Sequence, residues 1–151
     1  MTVSKGEYHI STDKDKLDID FIHGFLTRSY WAEGISMDII KRSIKASLCF
    51  GVFDNGKQAV LAGRQVGFAR MITDCATFAY LADVFIDEEY RGKGLSKWLM
   101  EVILSHPNLQ GLRRMILATR DAYQLYSQFG FTTLNNPERW MQIHKPDVYR
   151  S

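Results

Sequence analysis

The sequence predicts an α+β protein in which one mixed β-sheet carries helices on both faces. Residues 78–86 are apolar at nearly every position, which is typical of a central strand that is covered on both sides. Residues 94–106 have the spacing of a strongly amphipathic helix. Three strand-like segments follow one another before that helix, and this succession excludes a doubly wound parallel sheet.

The chain begins with segments that predict one strand and one long helix. Residues 7–11 read as a short first strand. Residues 14–30 follow, and their apolar side chains recur at helical spacing, with Thr12 or Asp13 available as the N-cap. The pattern breaks over residues 30–34, which we interpret as a loop.

A second helix and two strands come next. We expect Ser36 or Asp38 to begin a helix that carries isoleucines at helical spacing. Residues 48–53 predict a compact apolar strand, and the Asp-Asn-Gly-Lys turn at residues 54–57 follows it, with a loop that extends up to Gly63. Residues 65–73 alternate between two sets of side chains, as a strand does.

The central part of the chain gives the clearest patterns. Only Asp83 interrupts the apolar run of the strand Phe78–Ile86. The amphipathic helix at residues 94–106 ends just before Pro107, which cannot continue a helix. Residues 115–118 predict another buried strand, which should pair in parallel with a strand that precedes the helix.

The last elements are shorter. Residues 122–129 predict a helix that Gly130 ends in a left-handed cap. Residues 131–134 and 140–144 are expected to be the last strands. Strands joined by short turns should pair antiparallel, whereas strands joined through a helix should pair in parallel.

Length and composition favour one ordinary globular domain over residues 1–151. The chain is 46% hydrophobic and 24% charged, which excludes a disordered chain, a collagen-like repeat and a disulfide-framed mini-protein. The net charge of +2 does not favour nucleic acid as a partner.

Localisation is predicted from the cysteines and from the distribution of apolar residues. Cys49 and Cys75 lie in strand-like or apolar runs, so reduced thiols are a better interpretation than a disulfide. We find neither an apolar signal core nor an apolar run of 18 residues, so we expect a cytoplasmic protein that has no membrane partner.

The segment with the most chemical information lies between the central strand and the amphipathic helix, at residues 87–97. Gly92 and Gly94 allow a close approach of the backbone to a ligand, and a helix N-terminus offers free N–H groups to an anion. Arg91, Lys93 and Lys97 add positive charge there, which suits a pyrophosphate. A solvated basic turn is the alternative, since the segment matches neither the Walker A nor the GxGxxG pattern.

Two separated motifs resemble those of the GNAT superfamily of acetyl-CoA-dependent N-acetyltransferases. Arg91-Gly92-Lys93-Gly94-Leu95-Ser96 resembles its pyrophosphate motif [QR]-x-x-G-x-[GA], from which only Ser96 departs. Leu125-Tyr126-Ser127-Gln128-Phe129-Gly130-Phe131 resembles its L-Y-x-x-x-G-F motif. The resemblance extends from about Gln65 to Phe131 and implies the acyl-CoA N-acyltransferase fold.

The resemblance implies acetyl-CoA as cosubstrate and assigns residues to it. The backbone of the central strand would pair with the pantetheine arm, where this strand and residues 115–118 splay apart, and the N–H groups of residues 91–96 would hold the pyrophosphate. The implied cofactor-binding residues are Val84, Phe85, Ile86, Arg91, Gly92, Lys93, Gly94, Leu95, Ser96 and Lys97. Tyr126 would protonate the leaving thiolate. The asparagine that many members carry near residues 119–121 is absent here.

Four residues are candidates for binding or deprotonating the acceptor: Asp83, Tyr80, Trp31 and Glu33. Asp83 is the candidate base, because a buried carboxylate can accept a proton near neutral pH, although a structural aspartate is the alternative. Tyr80 stands where protein-acetylating relatives carry a glutamate. Trp31 and Glu33 lie in the loop that borders the acceptor site of the resembled family, and they would suit a cationic amine.

These observations together predict an acyltransferase that moves an acetyl group from acetyl-CoA directly to a small primary amine. The alternatives are an enzyme that acetylates protein lysines or N-termini, and a module that binds acetyl-CoA without turnover. The histidines are scattered and no metal-ligand spacing occurs, so no metal is expected. Exposed strands near the C-terminus would allow a homodimer.

Overall fold

The computed structural model describes residues 1–56 and 63–150. Its strands form one six-stranded sheet in the order β1-β2-β3-β4-β5-β6. The strands are β1 (Thr2–Lys5), β2 (Tyr8–Ser11), β3 (Leu48–Asp54), β4 (Arg64–Thr73), β5 (Phe78–Ile86) and β6 (Arg114–Leu117). The helices are α1 (Ile19–Leu26), α2 (Met37–Lys45), α3 (Leu95–Ser105) and α4 (Tyr123–Ser127). Much of the predicted loop after β3, residues 57–62, lies outside the described residues.

The strand pairing follows the connections, as the sequence predicts. Each strand from β1 to β4 pairs antiparallel with the next one. The pair β5–β6 is parallel, because α3 carries the chain back across the sheet between these two strands. The prediction of a mixed sheet is therefore confirmed.

Two clusters of buried apolar side chains cover the two faces of the sheet. One cluster joins α3 and the Tyr126 side chain of α4 to residues of β3, β4 and β5. The other joins α1 and α2 to a different set that includes Phe68 and Phe85. The helices thus lie on both faces of the sheet, in agreement with the fold class that the sequence predicts.

The first helix is shorter than its sequence pattern suggests. Residues 14–30 were expected to be helical throughout, but the chain forms a separate 3₁₀ turn at Lys14–Lys16 before α1 begins. Asp18 is the N-cap of α1 and accepts a hydrogen bond from the N–H of Phe21. Of the two expected caps, Asp13 caps only the 3₁₀ turn. Asp13 and Asp18 each accept from a nearby N–H group, so two separate helical segments begin here.

A β-bulge divides β5 at Asp83. Phe68 of β4 pairs with Phe85, and Arg70 pairs with Ala82. Between these two pairs β5 therefore contains one residue more than β4. Asp83 takes a φ of 55°, in the left-handed region that aspartate tolerates better than most residues. The bulge exchanges the faces: Leu81 packs on the α3 side before it, whereas Ile86 does so after it.

The C-terminal strands that we predicted are wrong. Residues 131–150, all of which the structure describes, contain a 3₁₀ turn at Pro137–Arg139 and hydrogen-bonded turns at residues 146–149, but no strand. At the other end of the chain, β1 was missed, because Val3 is its only apolar residue and alternation was not evident. No helix in the described parts of the chain is long and apolar enough to cross a bilayer.

Candidate active site

The sheet opens between β5 and β6. Their parallel pairing stops at Leu81 and Leu117, and the second half of β5 continues without a partner on that side among the described residues. A cavity of about 400 Å³ lies at this opening. It is lined by Tyr80 to Val84 of β5, by Leu117 at the end of β6, by the loop after β6 and by Tyr126. The α1–α2 loop, residues 27–36, contributes Tyr30 and Trp31. The splayed strands provide the entry that the sequence-based interpretation requires.

The loop that leads into α3 presents main-chain donors at one end of β5. Gly94 is the N-cap of α3, with a φ of 76° and no side-chain cap. The first helical bond runs from the N–H of Trp98 to the carbonyl of Gly94. The N–H groups of residues 92–97 find no acceptor in the described chain, and a Cβ built on Gly92 or Gly94 would meet no atom within 4 Å. These donors are open to an anion at the positive end of the helix dipole.

The basic side chains of this loop differ in their positions. Arg91 reaches back to the end of β5, where its Nε donates to the carbonyl of Ile86 at 3.3 Å. Its own N–H already bonds to the carbonyl of Glu88, so it is not one of the free donors. Lys93 and Lys97 are exposed beside the open N–H groups. The free donors therefore begin at Gly92, one residue later than the resemblance implies.

Tyr126 lies on α4 with its side chain buried at the opening. Its ring packs edge-on against Phe131 at a centroid distance of 6.0 Å. Burial raises the pKa of the Tyr126 hydroxyl to about 12, with smaller contributions from Tyr30 and Asp121. Tyr126 consequently keeps its proton throughout the neutral range.

Asp83 is held by two donors from different elements. One carboxylate oxygen accepts from Nε of Arg70 at 2.8 Å, and the other accepts from Nε1 of Trp31 at 2.9 Å. Arg70 also donates to the hydroxyl of Ser47 at 3.1 Å. The side chains of Arg70 and Asp83 are only 16% and 10% exposed, so solvent screens their ion pair weakly. This chain of contacts links β4 through β5 to the α1–α2 loop.

The remaining predicted acceptor residues divide between two neighbouring cavities. Tyr80 and Trp31 line the cavity at the β5–β6 opening. Trp31 also borders an outer cavity of about 420 Å³, whose lining includes Glu33 and the C-terminal residues. There the Glu33 carboxylate forms an exposed ion pair with Arg150 at 3.2 Å. Trp31 is therefore shared by the two cavities, whereas Glu33 belongs to the outer one.

Three side chains at this site were not singled out from the sequence. Arg70 was seen only as one position of an alternating strand, although an arginine in an apolar strand signals a buried partner of opposite charge. Arg120 lies over the ring of Tyr30, with its guanidinium carbon 3.8 Å from the ring centroid. This contact joins the α1–α2 loop to the loop after β6 at the cavity, and neither residue carries a motif that indicates it.

Comparison with known proteins gives consistent matches. The profile of the acetyltransferase (GNAT) domain matches residues 47–133. A curated relative from Gibberella zeae, an acetyltransferase by its name, is 33% identical over 141 residues, which cover 83% of this chain and 78% of that protein.

Similar solved structures agree with these matches. A crystal structure from Xanthomonas campestris pv. campestris, described as a GNAT-family acetyltransferase, is 46% identical with a TM-score of 0.89 and covers 98% of this chain and 100% of that one. An acetyltransferase structure with acetyl-CoA from Clostridium acetobutylicum is 13% identical, with a TM-score of 0.62, and covers 95% and 96% of the two chains. At that identity the likeness concerns the fold alone.

Proposed function

The chain belongs to the GNAT family of acetyltransferases, and on this basis we propose that it transfers the acetyl group of acetyl-CoA directly to a small primary amine. The observation that carries the proposal is the opening between β5 and β6, where Tyr126 and Trp31 line the same cavity. A cavity of about 400 Å³ is within the size range of small-molecule sites. The donor would enter along β5 and the acceptor from the side of Trp31.

The opening between β5 and β6 suits the pantetheine arm of acetyl-CoA, and the loop that leads into α3 suits its pyrophosphate. The backbone of Val84 to Ile86 uses one edge to pair with β4 at Phe85 and Ile86. Its other edge faces the opening and would bond to the amide groups of the pantetheine arm, as a strand does. The open N–H groups from Gly92 to Lys97, with the Lys93 and Lys97 charges, would hold the pyrophosphate.

Tyr126 is proposed as the acid of the reaction. Acetyl-CoA supplies an acetyl group that is activated as a thioester. Because burial keeps the Tyr126 hydroxyl protonated, it has a proton to give to the sulfur as the carbon–sulfur bond breaks.

We assign Asp83 a positioning role rather than the role of general base. A base needs an oxygen that is directed at the amine, whereas both oxygens of Asp83 already accept hydrogen bonds. Its contact with Nε1 of Trp31 fixes the indole at the cavity wall. The acceptor then meets an ordered aromatic wall that consists of Trp31 with Tyr30 and Tyr80. This arrangement suits an amine that approaches as a cation and loses its proton to water.

The cysteines support direct transfer over a thioester on the enzyme. Cys49 is buried, and burial raises the pKa of its thiol to about 11, so its nucleophilic thiolate is scarce at neutral pH. Cys75 lies between β4 and β5, with a φ of 61°, and does not line either cavity at the acceptor side. Neither thiol is located where it would receive the acetyl group.

The proposal is tested by acetyl-CoA binding and by release of free thiol over a library of small amines and peptides. We expect calorimetric binding of acetyl-CoA and thiol release with small amines. Absence of binding would overturn the proposal. Thiol release with peptides alone would indicate a protein acetyltransferase, and binding without any release would indicate a binding module.

Tyr126→Phe separates chemistry from binding. We expect turnover to fall by about 10² to 10⁴, the usual contribution of a positioned acid, while acetyl-CoA affinity stays unchanged. Tyr123→Phe is the matched control, since Tyr123 is on the same helix but is 55% exposed. Unchanged turnover in Tyr126→Phe would remove the acid role.

A further inference from the structure

Two charged side chains of the loop after β6 line the cavity at the β5–β6 opening, and the proposed mechanism uses neither of them. They are Arg120 and Asp121, which are consecutive and exposed. Neither forms an ion pair with another residue in the described chain. Both charges are therefore available to a ligand in this cavity.

The other carboxylates around this cavity are already paired with arginines. Asp83 forms its ion pair with Arg70, and Glu33 of the outer cavity forms one with Arg150. Lys145 lines the outer cavity and adds a positive charge that has no ion pair among the described residues. A ligand in the two cavities thus meets free groups of both signs.

Arg120 is positioned in a way that suits a carboxylate. Its guanidinium carbon lies over the ring of Tyr30, 3.8 Å from the ring centroid. A planar guanidinium that stacks through its face keeps the N–H donors at its edge, and these donors match the two oxygens of a carboxylate. Because the ring restricts the arginine, less conformational freedom is lost when an anion binds.

Asp121 gives the same loop a negative group on the side of the proposed acid. Its charge contributes to the raised pKa of the Tyr126 hydroxyl, so the two side chains are close. Successive Cα atoms are about 3.8 Å apart, so Arg120 and Asp121 start from neighbouring points of the backbone. A ligand whose positive and negative groups are separated by only a few bonds complements this pair.

We propose that the acceptor is a free α-amino acid, whose carboxylate binds to Arg120 and whose ammonium group is attracted to Asp121, beside Tyr126. This inference rests on the proposed function, since it names the substrate class of the same site. The amine nitrogen bonds to the acetyl carbon as the carbon–sulfur bond breaks. One amine proton goes to water, and Tyr126 gives its proton to the sulfur and regains one from water. An amine without a carboxylate leaves Arg120 unpaired.

Matched pairs of substrates test the proposal by release of free thiol from acetyl-CoA. Each L-amino acid is compared with its amide, which keeps the amine and the side chain but lacks the negative charge. We expect kcat/KM to be about 10- to 100-fold higher for the acid, the usual weight of a charged hydrogen bond. An aminophosphonate with the same side chain is the third member, and its preference over the carboxylate would overturn the amino-acid assignment.

Arg120→Gln removes the charge from an exposed side chain, so the fold should be unaffected. We expect it to raise KM for the amino acid and to abolish the preference for the acid over the amide, while acetyl-CoA affinity stays unchanged. Arg120→Lys should restore the preference in part, because it keeps the charge but not the planar donors. Arg42→Gln is the matched control, since Arg42 is an exposed arginine on α2 that lines neither cavity.

Calorimetric titration of the amino acid, with and without coenzyme A, separates this proposal from the proposed function. Binding that Arg120→Gln abolishes, without any thiol release, would support the site and overturn the acetyl transfer. Thiol release from amides as fast as from amino acids would overturn the site and leave the acetyl transfer standing. The site would also be overturned by absence of amino-acid binding, or by an Arg120→Gln variant that weakens acetyl-CoA binding instead.

Discussion

The two halves of the sheet differ in how completely they are paired. From β1 to β4 each strand runs antiparallel to its neighbour, and the side chains of Phe50 and Val52 in β3 are fully buried. In the other half, β5 and β6 share only four residue pairs before they separate, and no strand follows β6 among the described residues. We therefore expect the first half to contribute more to stability, whereas the second leaves main-chain groups free for ligands and partners.

The largest expected effect tests where stability is concentrated. Phe50→Ala removes a fully buried ring that packs against His106, and we expect the free energy of unfolding to fall by about 3 to 5 kcal/mol. Phe131→Ala removes a half-buried ring in the open half, and we expect a loss of about 1 to 2 kcal/mol. Urea denaturation measures both. Equal losses would contradict the difference between the halves.

The next effect concerns Asp83 of β5, which connects Arg70 of β4 to Trp31 of the α1–α2 loop. Asp83→Asn removes the charge that faces Arg70, so Trp31 loses its fixed position, and we expect kcat/KM for the acceptor to fall about 10- to 100-fold, or roughly 1.4 to 2.8 kcal/mol. Acetyl-CoA affinity should stay unchanged. Asp38→Asn is the control, because its ion pair with Arg42 is highly exposed.

The pH profile of Asp83→Asn distinguishes positioning from catalysis. A positioning residue lowers the rate at every pH and leaves the shape of the profile unchanged. If the variant instead loses the acidic limb of the profile, Asp83 is the general base and the assignment made above is wrong.

The smallest effect compares two glycines of similar backbone conformation. Gly94 has a φ of 76° and Gly111 has a φ of 74°, and a Cβ on either meets no atom within 4 Å. Alanine at either position should cost about 1 kcal/mol of unfolding free energy, because the left-handed region is strained for it. Only Gly94→Ala should also weaken acetyl-CoA binding, which calorimetry measures. Equal affinities in the two variants would contradict the proposed pyrophosphate loop.

Elements with strong local signals were predictable from the sequence. The bounds of β5 agree with its apolar run, and Ser36 is the N-cap of α2, as its position before the isoleucines indicates. Gly94 and His106 flank α3, and Gly130 takes the expected left-handed conformation with a φ of 92°. In these places propensity, capping and hydrophobic period agree with one another.

Features that depend on distant residues were not predictable. The partners of Asp83 are 13 and 52 residues away along the chain, so no local pattern indicates its ion pair or its bond to Trp31. Residues 140–144 have the alternation of a strand, but alternation does not say which edge is available to pair with it. Both the acceptor wall and the C-terminal region are decided by tertiary contacts.

The extra residue at Asp83 reverses which side chains of β5, odd-numbered or even-numbered, point to a given face of the sheet. Before it, odd-numbered side chains such as Leu81 enter the layer beneath α3, and after it the even-numbered Ile86 does so, while Phe85 enters the layer of α1 and α2. A deletion of one residue at this point would restore regular alternation along β5. Phe85 would then point to the α3 side of the sheet, and Ile86 to the side of α1 and α2. The length of this strand, and not only its composition, is thus part of what the sequence encodes.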